Sequence, residues 1–118
     1  VPLVMGQRAG QEPDWLGLKP SDLLLLAAAS CSSWDLVEIL QKQKQPLRSI
    51  EVSCTGQQTR EAPLRSVKIH LHYMVFGDVD PEKVRKAIDL SLGKYCTVVG
   101  TLKGSVEVTY DFEVLTPV

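Results

Sequence analysis

Pro20-Ser21-Asp22-Leu23-Leu24-Leu25-Leu26-Ala27-Ala28-Ala29-Ser30-Cys31-Ser32-Ser33 is the stretch on which the reading of this chain turns. Proline suits the first turn of a helix because its missing N–H would be unpaired there anyway, and Ser21 and Asp22 add capping or negative character. Helical composition continues through Leu36, Val37, Ile39 and Leu40 to about Lys44, with Pro46 ending it. Such a helix of about 24 residues is about 36 Å long, whereas a domain of this size is only about 30–35 Å across. It therefore runs through the whole molecule. Its first half is apolar on every side, and a helix of that kind has to be covered all round. One chain of this length can hardly do so, and a homodimer is expected.

Downstream, the pattern changes from helical to alternating. Ile50, Val52 and Cys54 alternate with Glu51, Ser53 and Thr55, which predicts a half-buried strand over Ile50–Gly56. After a polar break at Gln57–Pro63, Val67, Ile69, Leu71, Tyr73 and Val75 mark the inward face of a longer strand ending at Gly77. Asp80 and Pro81 are a cap and a first-turn proline. Val84, Ala87, Ile88 and Leu92 form the buried stripe of a second helix reaching about Tyr95. A loop with Gly100 and Gly104 follows, then a last strand with Val106, Val108, Tyr110, Phe112 and Val114 facing one way. Residues 1–19, with two prolines and three glycines, read as an irregular lead-in, Val1–Met5 possessing some strand character. Helix, two strands, helix, strand is the order of an α+β domain with a largely antiparallel sheet, 1–118 forming one domain.

Composition narrows the function. The chain has 118 residues, 44% hydrophobic and 23% charged, with 13 Lys+Arg against 14 Asp+Glu. Without a basic excess to neutralise phosphates, no nucleic-acid partner is expected. The longest apolar run, Leu23–Ala29, has seven residues, too short for a bilayer, so no membrane partner is expected either. No signal-peptide pattern opens the sequence, and the expected compartment is the cytoplasm. Asn is absent, which suits a heat-stable protein, while seven Gln argue the other way.

The three cysteines carry the credible chemistry. Cys31 sits among small residues deep in the long helix. Buried cysteine behaves as a small hydrophobe, so packing explains it as well as reactivity does. It lies too far from the helix start for the dipole to activate it, and a thiolate there needs a nearby cation or hydrogen bonds. Cys96 follows Lys94-Tyr95 where the second helix ends; Lys94 is either a cation for it or a solvated surface residue. Cys54 alternates with apolar residues and reads as core. No Cys-x-x-Cys is present, which removes a thioredoxin motif and a zinc knuckle. His70 and His72 share a strand face, but Lys68 shares it too and no third ligand is evident, so an exposed polar face is expected rather than a metal site. Asp78, Asp80 and Glu82 are explained by capping. No phosphate-binding glycine loop or serine elbow occurs, and no cofactor is expected.

These residues resemble a known family. Pro20 to Cys31, followed by Asp35-Leu36-Val37 and Ile39-Leu40, is similar to the central helix of the OsmC/Ohr proteins, the osmotically inducible and organic hydroperoxide resistance proteins. Ala87-Ile88-Asp89-Leu90-Ser91 and Lys94-Tyr95-Cys96-Thr97-Val98 resemble that family's second cysteine motif. The resemblance covers about residues 18–115 and points to the divergent OsmC-like branch. It implies an intertwined homodimer with two central helices on curved sheets. It further implies a thiol-dependent peroxidase in which Cys31 attacks a small-molecule peroxide, Cys96 resolves the sulfenic acid as a disulfide, and an external thiol reduces the pair. Two features depart from the family pattern. Ser21, with Asp22 next to it, stands where the hydroperoxidases have Glu, and Arg8, the sole upstream arginine, is wrongly spaced for their arginine. The lead-in is correspondingly short.

Two other readings compete. One is a non-catalytic dimer holding an apolar ligand between its subunits, with the cysteines as lining. The other is a structural or interaction domain with inert thiols. Thiol reactivity separates the first reading from both.

Overall fold

Helix α1 (Pro20–Lys42) organises the rest of the computed structural model, which describes residues 6–7, 15–16, 20–62 and 65–115. The helix stops two residues short of the expected Lys44 because Lys44 takes left-handed backbone, φ 56°. The Lys44 N–H donates to the Gln41 carbonyl and the Gln45 N–H to the Leu40 carbonyl, both at 3.0 Å. This closes the last turn in the way that usually recruits glycine. Pro46 then prevents any continuation.

Strands β3 (Leu47–Gln58) and β4 (Ser66–Gly77) form an antiparallel hairpin, and β5 (Glu107–Leu115) joins the other edge of β4 in parallel. The main sheet is therefore mixed. A parallel neighbour requires a crossover, supplied by α2 (Pro81–Leu90), a π-helical turn (Ser91–Tyr95) and α3 (Thr97–Leu102). Helix α3 lies where a loop was expected, since Gly100 in its middle reads as a breaker. The irregular lead-in also contains regular structure: β1 (Gly6–Gln7) pairs antiparallel with β2 (Trp15–Leu16). The strand character expected at Val1–Met5, and Arg8, lie outside the described residues.

The alternation read from the sequence is the packing observed. Ile69, Leu71, Tyr73 and Val75 of β4 are fully buried, and Ile50, Val52 and Cys54 of β3 pack against the same core. Above them lie Ala29, Leu36 and Leu40 of α1 and Val84, Ala87 and Ile88 of α2. Gly77 ends β4 at φ 139°, where a Cβ would lie 2.4 Å from the Pro46 carbonyl oxygen; any side chain there collides with backbone. Asp80 caps α2, its Oδ1 accepting the Glu82 N–H at 3.0 Å.

By length and composition alone α1 could cross a membrane. The seven-residue run understates this, because Ser30, Ser32 and Ser33 interrupt the apolar stretch without making the helix polar. Here one side of α1 is buried on the sheet. The other is left open by the described residues: Leu26 is 44% and Trp34 71% exposed.

Candidate thiol site

Cys31 and Asp35 are one helical turn apart on α1, so they share a face. The π-helical turn after α2 brings a third group to them. Its Ser91 carbonyl accepts the Cys96 N–H at 2.7 Å, which fixes Cys96 in extended backbone at the start of α3. The sulfurs of Cys31 and Cys96 and a carboxylate oxygen of Asp35 all lie within 4.8 Å of one another. Both cysteines are free thiols. Cys96 is buried, 4% exposed, in a small cluster with Ala28 and Val99 that Cys31, Leu92, Val98 and Val108 border. Single-turn π segments recur at functional sites because they re-aim the chain beyond them, and this one aims Cys96 at α1.

Ser91 connects the whole arrangement. Besides holding Cys96 through its carbonyl, its hydroxyl donates to Asp35 Oδ2 at 2.9 Å. Nearby, the Ser32 and Tyr73 hydroxyls are hydrogen-bonded at 2.6 Å. Burial pushes the Tyr73 phenol up to about 12, so it is neutral under ordinary conditions.

Burial likewise raises the Cys96 thiol to about 11; the Val99 N–H, donating to Cys96 Sγ at 3.5 Å, works against that and the Cys31 thiol adds to it. Lys94, the candidate cation, instead places Nζ over the Tyr95 ring, 5.5 Å from its centroid. Among the described residues, the ionisable group that the fold brings to the two thiols is the Asp35 carboxylate. Beside it opens a cleft of about 500 Å³, lined by Asp35, Ile39, Lys42, Leu90 and Tyr95 among others.

The remaining candidates fall elsewhere. Cys54 pairs with Leu71 across the β3–β4 ladder and is half-buried against the main core; burial, then Asp22, raises its thiol. His70 and His72 form a ladder with β5. His70 bonds Thr109 Oγ1 (2.7 Å) and Asp111 Oδ1 (2.8 Å), and His72 bonds Asp111 Oδ1 (2.9 Å) and Glu113 Oε1 (3.2 Å). Ser21 is half-buried and Asp22 exposed at the start of α1.

Asp35, Ser91, Ser32 and Tyr73 are the site residues that the sequence reading did not assign. One signal was available: Asp35 follows Cys31 by four residues on a helix, which puts them on one face. Nothing comparable marks Ser91 or Tyr73.

Comparison with known proteins agrees with this architecture. The family described as OsmC-like protein matches residues 10–111. Protein YhfA of Escherichia coli strain K12 is 40% identical over 97 residues, covering 81% of this chain and 72% of YhfA. A hypothetical protein from Aquifex aeolicus VF5 superposes with a TM-score of 0.82 at 31% identity, over 86% of this chain and 77% of that one. The organic hydroperoxide resistance protein OhrB of Bacillus subtilis shares the fold, with a TM-score of 0.69 at 18% identity over 89% of this chain and 74% of its own. The chain belongs to the OsmC-like protein family, on a branch divergent from the hydroperoxide resistance proteins.

Proposed function

We propose that this chain is one OsmC-like domain that works as a homodimer and reduces hydroperoxides with the Cys31/Cys96 pair. The observation that carries the reading is the approach of the two sulfurs to within 4.8 Å across elements far apart in sequence. The hydroperoxide-resistance name of the structural relative OhrB adds support. The Cys31 thiolate attacks the distal peroxide oxygen, the O–O bond breaks, and the alkoxide leaves and takes a proton, producing Cys31 sulfenic acid and an alcohol. The Cys96 sulfur then attacks the Cys31 sulfur; water leaves and the disulfide forms. A small external thiol returns both electrons. Because Cys96 is raised to about 11, it waits as a protonated thiol and does not compete for peroxide.

The uncovered side of α1 supports the homodimer. Trp34, Val37, Ser30 and Ser33 line a groove of about 510 Å³ that reaches Val52 of β3. The Ser33 hydroxyl in that wall is buried without a hydrogen-bond partner among the described residues. A second copy of α1 would bury this surface. The same groove favours a second reading, an apolar-ligand-binding dimer whose thiols are only lining.

The test is to add one equivalent of an alkyl hydroperoxide to reduced protein, count the thiols and map the linked peptides. Rapid loss of two thiols with a Cys31–Cys96 link supports the peroxidase. Cys31→Ser is expected to lower peroxide consumption at least 1,000-fold while sedimentation still reports a dimer. Thiols at Cys31 and Cys96 no more reactive than Cys54 would overturn the reading and leave the ligand-binding dimer.

A further inference from the structure

Among the described residues, the ionisable group next to the thiol pair is a carboxylate, Asp35, which is suited to holding a metal rather than to activating a thiolate. Two sulfurs and a carboxylate oxygen within 4.8 Å of one another are a Cys2Asp donor set. Tetrahedral zinc, with sulfur at about 2.3 Å and carboxylate oxygen at about 2.0–2.2 Å, separates its donors by about 3.5–3.8 Å. Closing the set on an ion therefore takes shifts of about 1 Å or less, within the reach of side-chain rotation. Cys31 and Asp35 stand four residues apart on one helix, the spacing by which helical histidine pairs chelate zinc. Cys96 adds a third donor from a separate element.

Two further features belong to a built metal site. The Ser91 hydroxyl donates to Asp35 Oδ2, which orients the carboxylate while leaving it oxygen lone pairs free to take an ion. The Val99 N–H points at Cys96 Sγ, the kind of outer hydrogen bond that steadies a metal-bound thiolate. Asp35 also borders the cleft of about 500 Å³, which offers a way in. We propose that the reduced chain binds one thiophilic divalent cation of the zinc class through Cys31, Cys96 and Asp35, with water or an external thiol in the fourth position. Binding displaces two thiol protons to solvent and involves no oxidation. An occupied site ties up the lone pair with which Cys31 would attack peroxide, so the ion and the disulfide are mutually exclusive occupants.

The site needs only reduced thiols and stands apart from the peroxidase reading. The test titrates reduced, metal-free full-length protein with Cd²⁺, following the sulfur-to-metal charge-transfer band, and with Zn²⁺ against a chromophoric chelator. One ion per chain is expected, with about two protons released per ion. Asp35→Asn should weaken Zn²⁺ at least tenfold with an unchanged far-ultraviolet circular dichroism spectrum, Cys54→Ser should leave affinity unchanged, and disulfide-forming oxidation should abolish binding. Cadmium-113 NMR of the wild-type protein should report two sulfur donors without relying on any variant. Absence of the band, a one-sulfur shift, loss of binding in Cys54→Ser, or full affinity in Asp35→Asn would each overturn the proposal. Thiols inert to peroxide that still bind Cd²⁺ would sink the peroxidase and leave the metal site standing.

Discussion

Two polar clusters sit on this small fold and obey different physics. His70, His72, Asp111 and Glu113 face outward from β4 and β5, and their contacts follow directly from the parallel register His70↔Thr109, His72↔Asp111. Cys31, Asp35, Ser91, Cys96, Ser32 and Tyr73 meet inside, where three helical elements and β4 converge. Outside, water screens each charge and the pairs stabilise the fold little. Inside, burial governs ionisation: it is the largest cause acting on both Cys96 and Tyr73. Similar numbers of hydrogen bonds thus lie in screening solvent in one place and around buried groups of shifted ionisation in the other.

The comparison can be broken most forcefully at Ser91. Ser91→Ala removes the donor to Asp35 from a fully buried position, and a hydrogen bond to a charged group is worth about 2 kcal/mol. An unfolding free energy lowered by about that amount, read as a lower denaturant midpoint at unchanged slope, and slower Cys31–Cys96 disulfide formation are expected. An unchanged midpoint would mean that the interior cluster is no more consequential than the exterior one. Tyr73→Phe comes next. It keeps the ring in the core and deletes the hydroxyl bonded to Ser32, at an expected loss of about 1 kcal/mol in urea unfolding.

A smaller effect concerns alkaline pH. The folded Cys96 thiol ionises near 11 against an ordinary 9.0, so the fold favours the protonated form. That contribution is whole below pH 9 and is lost as pH rises from 9 to 11. Cys96→Ala should make the fall in stability across that window shallower, the raised Cys54 and Tyr73 groups still contributing to what remains. The smallest effect belongs to the exterior ladder. Hydrogen bonds from Asp111 and then Glu113 raise His72 above 6.5, and those from His72 and then His70 lower Asp111. The His72 contribution is whole below pH 6.5 and lost as pH rises through its folded value; that of Asp111 is whole above 3.8 and lost as pH falls through its own. NMR titration should find His72 above 6.5, returning toward it in Asp111→Asn and in high salt.

How much of this was legible depends on the range of the interaction. The helix from Pro20, the two hairpin strands, the Asp80 cap and the last strand follow from periods of 3.6 and 2 and from local caps, and the structure places them within a few residues. Helix α3 was missed because Gly100 weakens a short helical pattern that packing of Val99 rescues. The parallel setting of β5 was missed because its alternation is the same in either direction; only the crossover decides it. Cys31 and Cys96 stood out by their type and by family resemblance, whereas Asp35 could be tied to Cys31 only by helical spacing.

The sequence by itself determined the long helix from Pro20, the three long strands, the start of the second helix and which faces of them are apolar, and it singled out the cysteines as candidates. Those are properties of neighbours along the chain. The tertiary structure alone decided that a serine hydroxyl meets a carboxylate 56 residues away, and that a π-helical turn carries Cys96 to Cys31. A contact of that kind leaves no periodic trace, because it exists only once α1 and the β4–β5 crossover have packed on the same face of the sheet.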